Sequence, residues 1–335
     1  MARSDWSSVR LHVVTGKGGT GKTTVAAALA MALAHGGRRV LLMEVEGRQG
    51  IAQLFDTPPL PYEERRVAVA PGGGEVWALA VDPEEALLEY LEMFYNLRRA
   101  GGLLRRMGAI DFAITIAPGI RDVLLTGKAC ELVRRAEKGQ PKAPDVVVLD
   151  APPTGRITRF LNVNQEVAHL AKVGPIRTQA DSVMRVLRSD RTAVHLVTLL
   201  EEMPVQETAD GVAELEEAGL PVGGVIVNMM RPPALDDDEL LAAAEGTFDR
   251  MEVASGVAAL DLPGGVSTGR AATALIDSLL EEARDHAQRV AVERAERLRI
   301  AGMGRPVYEL PAIPSGIDLA ALYEMADLLR EQGMA

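Results

Sequence analysis

The sequence is short of cysteine and of long apolar runs. A single cysteine, Cys130, among 335 residues excludes a disulfide framework and a cysteine-bound metal cluster. The longest apolar run, residues 25–34, is too short to cross a bilayer, which takes about 20 residues. Residues 1–9 lack the apolar region of a signal peptide. We therefore expect a cytoplasmic protein in which Cys130 is a small core residue.

Positive charge is outnumbered by negative charge, with 36 Lys and Arg against 47 Asp and Glu. The formal net charge is −11, so the chain gains little from counterion release on DNA and is repelled by anionic lipid. We expect no nucleic-acid partner and no direct membrane insertion. The five histidines show no metal-ligand spacing. Only six residues are lysine, against thirty arginines, and two of the six lie in one glycine-rich segment.

That segment reads GKGGTGKTT and matches the phosphate-binding loop pattern G-x-x-x-x-G-K-S/T, with an apolar run before it and a helical pattern after it. Its glycines let backbone N–H groups converge on phosphate oxygens at a helix N-terminus. Lys22 is predicted to reach the β- and γ-phosphates of ATP, and the Thr23 hydroxyl to ligate Mg²⁺. The predicted nucleotide-binding residues of the loop are Gly16, Lys17, Gly18, Gly19, Thr20, Gly21, Lys22, Thr23 and Thr24.

Short, nearly continuous apolar runs alternate with helical patterns along the chain. Such runs predict strands covered on both faces, and the alternation predicts a doubly wound, mostly parallel α/β sheet. We predict one domain over residues 1–335, with helical inserts at 83–120 and 164–192 that form a small subdomain, and a helical region at 236–299. The acidic run from Asp236 is expected to begin a helix rather than bind metal. The predicted strands are residues 10–15, 38–44, 75–81, 145–150, 193–199, 222–228 and 305–310.

The second lysine of the glycine loop, Lys17, makes it an unusual variety. The form G-K-G-G-x-G-K-T-T resembles the deviant Walker A loop of a family of dimeric ATPases. That family includes the arsenite-pump ATPase, the Get-pathway ATPase that targets tail-anchored proteins, and the partition and division-site ATPases. In them the early lysine crosses the dimer interface, so the resemblance implies that Lys17 reaches a partner's phosphates in a homodimer or a heterodimer with a paralogue. The alternative is a solvent-facing lysine.

A second motif begins where a predicted strand ends in Asp150, which is placed as a Walker B carboxylate for the magnesium shell. From there to Leu161 the sequence resembles the switch II segment D-T-A-P-T-G-H-T-L-R-F-L of the arsenite-pump and Get-type ATPases. The resemblance implies that the Gly155 N–H meets the γ-phosphate and makes Arg159 a candidate relay to the helical insert. Two further stretches resemble the family elements P-G-I-D-E and P-x-x-x-E-T: residues 118–122 and 204–208.

The stretch after the second predicted strand, residues 44–50, matches the switch I segment of that family only in part. Glu46 falls where the family has the aspartate of D-P-A-H, which orients the attacking water. A carboxylate one methylene longer can still do so, but a misplacement of about 1 Å can cost about 10²-fold in rate. Arg48 either compensates or is a surface residue. The end of the sixth predicted strand lacks the N-K-x-D motif that reads guanine. In the relatives an asparagine here hydrogen-bonds adenine, so the resemblance implies that Asn228 binds the adenine of ATP, unless it only caps the strand. Pro311 is expected to wall the base.

In Get-type relatives, inserted helices form an apolar groove for a transmembrane segment. Leu103, Leu104 and Met107 could line such a groove here, although an apolar stripe on a helix more often belongs to a core. A hydrophobic protein client therefore stays one possibility. The sequence thus predicts a dimeric switch that binds and hydrolyses Mg-ATP and couples its state to a helical client- or partner-binding subdomain. The alternatives are a weakly catalytic subunit paired with an active paralogue, and a partition-type positioning ATPase.

Overall fold

The computed structural model of the protein describes residues 6–95, 118–170, 174–260 and 269–335. These fall into two compact units, one within residues 1–199, 203–230 and 303–335, the other within residues 200–202 and 231–302. The region predicted at 236–299 makes up most of the second unit. The groove residues proposed from sequence, Leu103, Leu104 and Met107, lie outside the described residues. The description as a single domain over 1–335 stays a prediction.

An eight-stranded sheet forms the centre of the first unit, with the order β3-β4-β2-β5-β1-β6-β7-β8. Every neighbouring pair is parallel except β3 and β4. The predicted mostly parallel α/β class is confirmed. The strands are β1 (Leu11–Gly16), β2 (Arg39–Glu44), β3 (Arg65–Val69), β4 (Glu75–Ala80), β5 (Val146–Asp150), β6 (Thr192–Thr198), β7 (Val222–Met230) and β8 (Val307–Pro311).

Each of the seven predicted strands is present, with both ends within two residues of the prediction. The eighth strand, β3, has no counterpart among the strands predicted from sequence. It lies at the sheet edge and exposes Arg65, Arg66 and Val69, so it lacks the continuous apolar run of a doubly covered strand. Pairing with β4 makes this segment a strand, although its composition does not predict one.

The described residues contain eleven helices, and the predicted helix of residues 22–34 is confirmed. The described helices are α1 (Lys22–Ala34), α2 (Gly50–Leu54), α3 (Pro83–Tyr95), α4 (Pro118–Glu137), α5 (Thr154–Leu170), α6 (Pro175–Leu187), α7 (Glu202–Glu217), α8 (Asp237–Glu245), α9 (Arg250–Ala259), α10 (Gly269–Gly302) and α11 (Leu319–Glu331).

Two of the predicted insert bounds fall inside helices. Residue 120 lies in the first turn of α4, which continues to Glu137. Residue 164 lies inside α5, which begins at Thr154, directly after the turn that follows Asp150. The Pro-Pro-Thr-Gly start of this segment has a turn composition, but buried Ile157 and Phe160 pack the segment on the sheet as a helix. The inserts themselves stay predictions.

Two apolar clusters cover the two faces of the sheet. On one face, the small side chains of α1 are buried between the sheet and α11, which fixes the helix that follows the glycine loop. On the other face, α4, α5 and α6 contribute the second cluster. Cys130 of α4 is completely buried there, and burial raises the pKa of its thiol to about 12, so the prediction of a core cysteine is confirmed.

The second unit contains the acidic run that was expected to begin a helix. The Asp236 carboxylate accepts a hydrogen bond from the Glu239 N–H, and the Glu239 carboxylate accepts one from the Asp236 N–H. This reciprocal capping box confirms the prediction. Leu240 and Ala243 of α8 pack on α10 in a small core of their own. Over the described parts of the chain, no helix has the length and apolar character needed to cross a membrane.

Candidate nucleotide site

The glycine loop connects β1 to α1, and its shape is set largely by its own residues. A Cβ on Gly16 would lie 2.3 Å from the backbone oxygen of Val197 on β6, so no larger residue fits there. Gly19 and Gly21 have φ values of +91° and +82°, in the left-handed region that favours glycine. The buried Thr20 hydroxyl donates to the Lys17 carbonyl oxygen at 2.9 Å. The loop thus has the glycine conformations and the place at the start of a helix that suit a cradle of backbone N–H groups for phosphate.

Lys22 is the first residue of α1, and only 9% of it is exposed. Next to it, the Thr23 hydroxyl donates to Oδ2 of Asp150 at 2.7 Å. Asp150 ends β5, beside β1 in the sheet, and is buried. The structure thus brings together the three side chains that the sequence analysis placed around the phosphates and the metal.

The Asp150 carboxylate carries charge that this pocket does not balance. Its pKa is raised to about 6 chiefly by burial, with the charges of Glu44 and Glu46 adding to the rise, while the Thr23 hydrogen bond and Lys22 oppose it. Its Oδ1 is buried and has no hydrogen-bond partner among the described residues. A divalent cation would supply both the missing partner and the missing positive charge.

These residues fit a magnesium ion bound with phosphate. No group of three or more His, Cys, Asp or Glu side chains in the described ranges could hold a metal by itself. Mg²⁺ keeps several waters and takes one or two protein ligands beside phosphate oxygens. When bound, the ion neutralises charge on the phosphate oxygens. Thr23 and Asp150 are the residues that would hold it.

Switch II leaves the sheet at Asp150 and becomes α5. The Thr15 hydroxyl of β1 donates to the Pro152 carbonyl oxygen at 2.7 Å, which ties the turn to the strand below the glycine loop. Thr154 is buried, and a Cβ on Gly211 of α7 would lie 2.4 Å from its methyl group. Gly155 lies exposed in the first turn of α5. The predicted contact between the Gly155 N–H and a γ-phosphate stays a prediction.

Switch I is held by residues distant in the sequence. Arg121 of α4 donates to the Val45 carbonyl oxygen at 3.1 Å. Gln49 has a φ of +57°, and its side chain accepts from the Leu60 N–H at 2.7 Å and donates to the Leu60 carbonyl oxygen at 3.3 Å. The sequence analysis gave neither Arg121 nor Gln49 a role. Arg121 lies in the P-G-I-R-D stretch, so a signal was present, but its partner was not visible.

The predicted water-orienting residue, Glu46, lies between these anchors. Its carboxylate is 3.7 Å from the guanidinium of Arg48, whose side chain is 74% exposed. An exposed pair at this separation adds little to stability. Arg48 is therefore a surface partner of Glu46 in this structure. The role of Glu46 in hydrolysis stays a prediction.

Asn228 on β7 takes part in shaping the loop. It is buried, and its Nδ2 donates to the Thr20 carbonyl oxygen at 2.9 Å. A Cβ on Gly21 would lie 2.4 Å from the same nitrogen. Asn228 thus holds the glycine loop from β7, which is separated from β1 by β6 in the sheet. This contact was not predicted from sequence. Its predicted contact with adenine, and that of Pro311 at the end of β8, stay predictions.

The other loop lysine, Lys17, has a different environment. Its side chain is 32% exposed, and its ammonium lies 2.9 Å from Oε1 of Glu207 on α7. Glu207 belongs to the P-x-x-x-E-T stretch singled out in the sequence. One lysine of the loop is therefore enclosed, and the other lies at the surface with a partner in its own chain.

Two histidines that sequence reasoning left without a role meet below the loop. His12 on β1 and His195 on β6 are fully buried, with Nδ1 of His12 3.0 Å from Nε2 of His195. The Gly224 N–H donates to Nδ1 of His195, so His195 carries its proton on Nε2 and donates to His12. Burial lowers both pKa values, that of His195 to about 3. No spacing rule could have found a pair joined across two strands.

A strand, a glycine loop with an enclosed lysine, a helix, and an aspartate at the end of the adjacent strand together define a P-loop nucleotide-binding protein of the α/β class. Residues 9–190 match the family model of the ArsA-type ATPases, described as anion-transporting ATPases. The chain belongs to this ATPase family, and it is an ATPase.

Individual relatives agree with the motifs. The chain is 53% identical over 330 residues to the ATPase BagA of Mycobacterium tuberculosis, covering 98% of this chain and 94% of that one. It is 26% identical over 343 residues to the arsenical pump-driving ATPase of Acidiphilium multivorum, covering 95% of this chain and 54% of that protein. It is 24% identical over 258 residues to the ATPase GET3 of Lachancea thermotolerans, covering 65% and 71%. The predicted resemblance to arsenite-pump and Get-type ATPases is confirmed.

Proposed function

We propose that this ATPase works as a dimeric nucleotide switch, in which each glycine loop binds Mg-ATP and Lys17 reaches the phosphates bound by a partner subunit. The observation that carries the proposal is the contrast between the two loop lysines. Lys22 is enclosed, as a lysine for the phosphates of its own loop should be. Lys17 is about one-third exposed, so a second subunit could approach it. A Lys17 that bound only the phosphates of its own loop would be expected to be enclosed, as Lys22 is.

Within each site, Thr23 and Asp150 are proposed as the magnesium residues and Glu46 as the residue that orients water. Gly155 is proposed to bind the γ-phosphate, so that gain or loss of this phosphate moves the start of α5. Asn228 and Pro311 are proposed to flank the adenine. All of these residues lie at or next to the carboxyl ends of sheet strands, where open α/β sheets bind their ligands.

The switch is proposed to act on a helical partner site. Helices α3, α4, α5 and α6 line a narrow, mainly apolar cleft of about 60 Å³, and α5 is the continuation of switch II. A cleft of this volume has room for an apolar side chain, whereas a small-molecule pocket takes roughly 300 Å³ or more and a membrane-spanning helix is about 30 Å long. We therefore propose a short apolar segment of a client or partner as its occupant. The apolar lining residues are Ala86, Val123, Leu124, Val167, Ile176, Ala180 and Val183.

The test separates nucleotide binding from nucleotide-induced dimerisation. With Lys17→Ala, fluorescent ATP-analogue binding should stay within about threefold of the original chain, since one exposed contact is worth little. Nucleotide-induced dimerisation, measured by light scattering after size exclusion, should be lost. Lys22→Ala is the matched control and should lose nucleotide binding itself. Dimerisation and turnover that survive Lys17→Ala would show that the lysine does not act in trans.

A second candidate rests on Glu46. A glutamate at the water-orienting position, with Arg48 beside its carboxylate, favours a slow subunit that stabilises an active paralogue in a heterodimer. In that case the pure chain turns over slowly, and Glu46→Asp raises its steady-state rate by up to about 10²-fold. Fast turnover by the unmodified chain alone would remove this candidate.

A further inference from the structure

A second carboxylate is buried beside Asp150. Glu44 is the last residue of β2, and it is the register partner of Asp150 on the adjacent parallel strand β5. Only 2% of Glu44 is exposed. Because both strands end at the same edge of the sheet, the two acids lie at the level of the glycine loop.

The surroundings do not balance these charges. Lys22 is the buried ammonium of the site, and Glu46 adds a third acid nearby. Burying carboxylates side by side is unfavourable unless a cation joins them. Asp150 still has one buried oxygen without a partner among the described residues.

Glu44 also makes weak contacts of its own. Its two carboxylate oxygens accept from the N–H groups of Gly50 and Ile51 at 3.3 and 3.4 Å, both long for such bonds. Gly50 in turn lies against Thr23, since a Cβ on Gly50 would be 3.3 Å from the Thr23 methyl group. Glu44 therefore connects the far end of switch I to the proposed magnesium residue, and its oxygens keep lone pairs to spare.

We propose that Glu44 is a second carboxylate of the magnesium site, a positioning residue that raises the affinity for the ion and holds residues 50–51 against Thr23 when the ion is bound. The proposal rests on the proposed function, because it needs a divalent cation bound together with nucleotide. On this proposal, the buried carboxylate of Glu44 contributes to metal binding and does not stabilise the metal-free chain.

The first measurement is metal affinity. Free Mn²⁺ is titrated by electron paramagnetic resonance in the presence of saturating ADP, with Glu63→Gln as the control because it removes the same charge from an exposed position beside the edge strand. Glu44→Gln should weaken Mn²⁺ binding by about 10- to 100-fold, the usual effect of losing a supporting group at a metal site. Glu63→Gln should leave it unchanged, and Glu44→Asp, which keeps the charge, should retain most of it. Equal losses in the Asp and Gln variants, or no loss in Gln, overturn the proposal.

The second measurement is the unfolding temperature without metal and nucleotide. Removing one of two repelling carboxylates should raise it in Glu44→Gln and reduce the further rise that Mn²⁺ and ADP bring. A residue that only anchors switch I gives the opposite sign, so a lower unfolding temperature, or a variant that does not fold, contradicts the proposal. If the unmodified chain fails to bind Mn²⁺ with ADP, the proposed function fails and this inference with it. If it binds and Glu44→Gln binds equally well, only the inference fails.

Discussion

The glycine loop and switch I both follow a strand at the same edge of the sheet, but they are held in different ways. The loop takes its shape from its own glycines and from the bond between Thr20 and Lys17, with Asn228 as one distant support. Switch I is held mainly by residues farther along the chain, Arg121 and Leu60, together with the buried Glu44 at its start. A locally shaped loop is preformed for its ligand, whereas a loop that depends on distant residues can respond to them.

The largest effect is expected where the preformed loop encloses its charge. Lys22→Ala removes a buried ammonium from the phosphate cradle, and a hydrogen bond to a charged group is worth about 3 kcal/mol at the upper end. Affinity for ATP should therefore fall by about 100-fold or more. Isothermal titration calorimetry measures it, with the exposed Lys138→Ala as control. A fall smaller than tenfold would mean that the backbone cradle alone carries the affinity.

The same contrast explains what could be predicted from sequence. The loop, the Asp150 strand end and seven strands depend on local patterns, so they could be predicted to within a few residues. Arg121 and the His12–His195 pair act through partners far along the chain, and no local pattern names a partner. Strand β3 and the start of α5 were missed because tertiary packing there overrides a composition typical of loops.

The next effect tests the claim that loop shape is built in. Gly16→Ala should lower the free energy of unfolding by about 1–3 kcal/mol, because the added Cβ overlaps a backbone oxygen that cannot move freely. Gly18→Ala is the matched control, since a Cβ there meets nothing within 4 Å. Urea unfolding measures both. Equal stabilities would show that the loop adapts and is not preformed.

The free energy of unfolding should depend on pH through the buried histidine pair on β1 and β6, below the glycine loop. His12 and His195 have lowered pKa values in the folded chain, His195 about 3, against about 6.5 when unfolded. Between these values the unfolded chain binds more protons, so stability is full above pH about 6.5 and falls as the pH drops below it. At pH 5.5 the loss from His195 should be about 1.4 kcal/mol.

The measurement compares urea unfolding at pH 7.5 and 5.5 in the original chain and in His195→Gln. Carboxylates that titrate in this range contribute equally to both proteins, so the difference in slope reports the histidine. The Gln variant should lose less stability on acidification. An identical slope in both proteins would mean that His195 is not held neutral by burial.

The smallest effect is expected at switch I, and it bears most directly on the comparison. Arg121 is largely exposed, and its bond to the Val45 carbonyl oxygen is one of several supports of that loop. A single such bond is worth about 1 kcal/mol, so Arg121→Ala should reduce kcat for ATP hydrolysis by about fivefold. The KM for ATP should stay unchanged, because the glycine loop that binds the nucleotide does not depend on Arg121. Arg121→Lys, which keeps one donor, should restore part of the rate, and Arg185→Ala, at an exposed position of α6, should have no effect. A rise in KM with kcat preserved would show that the two loops are not independently held, and that distant contacts shape the nucleotide cradle as much as they shape switch I.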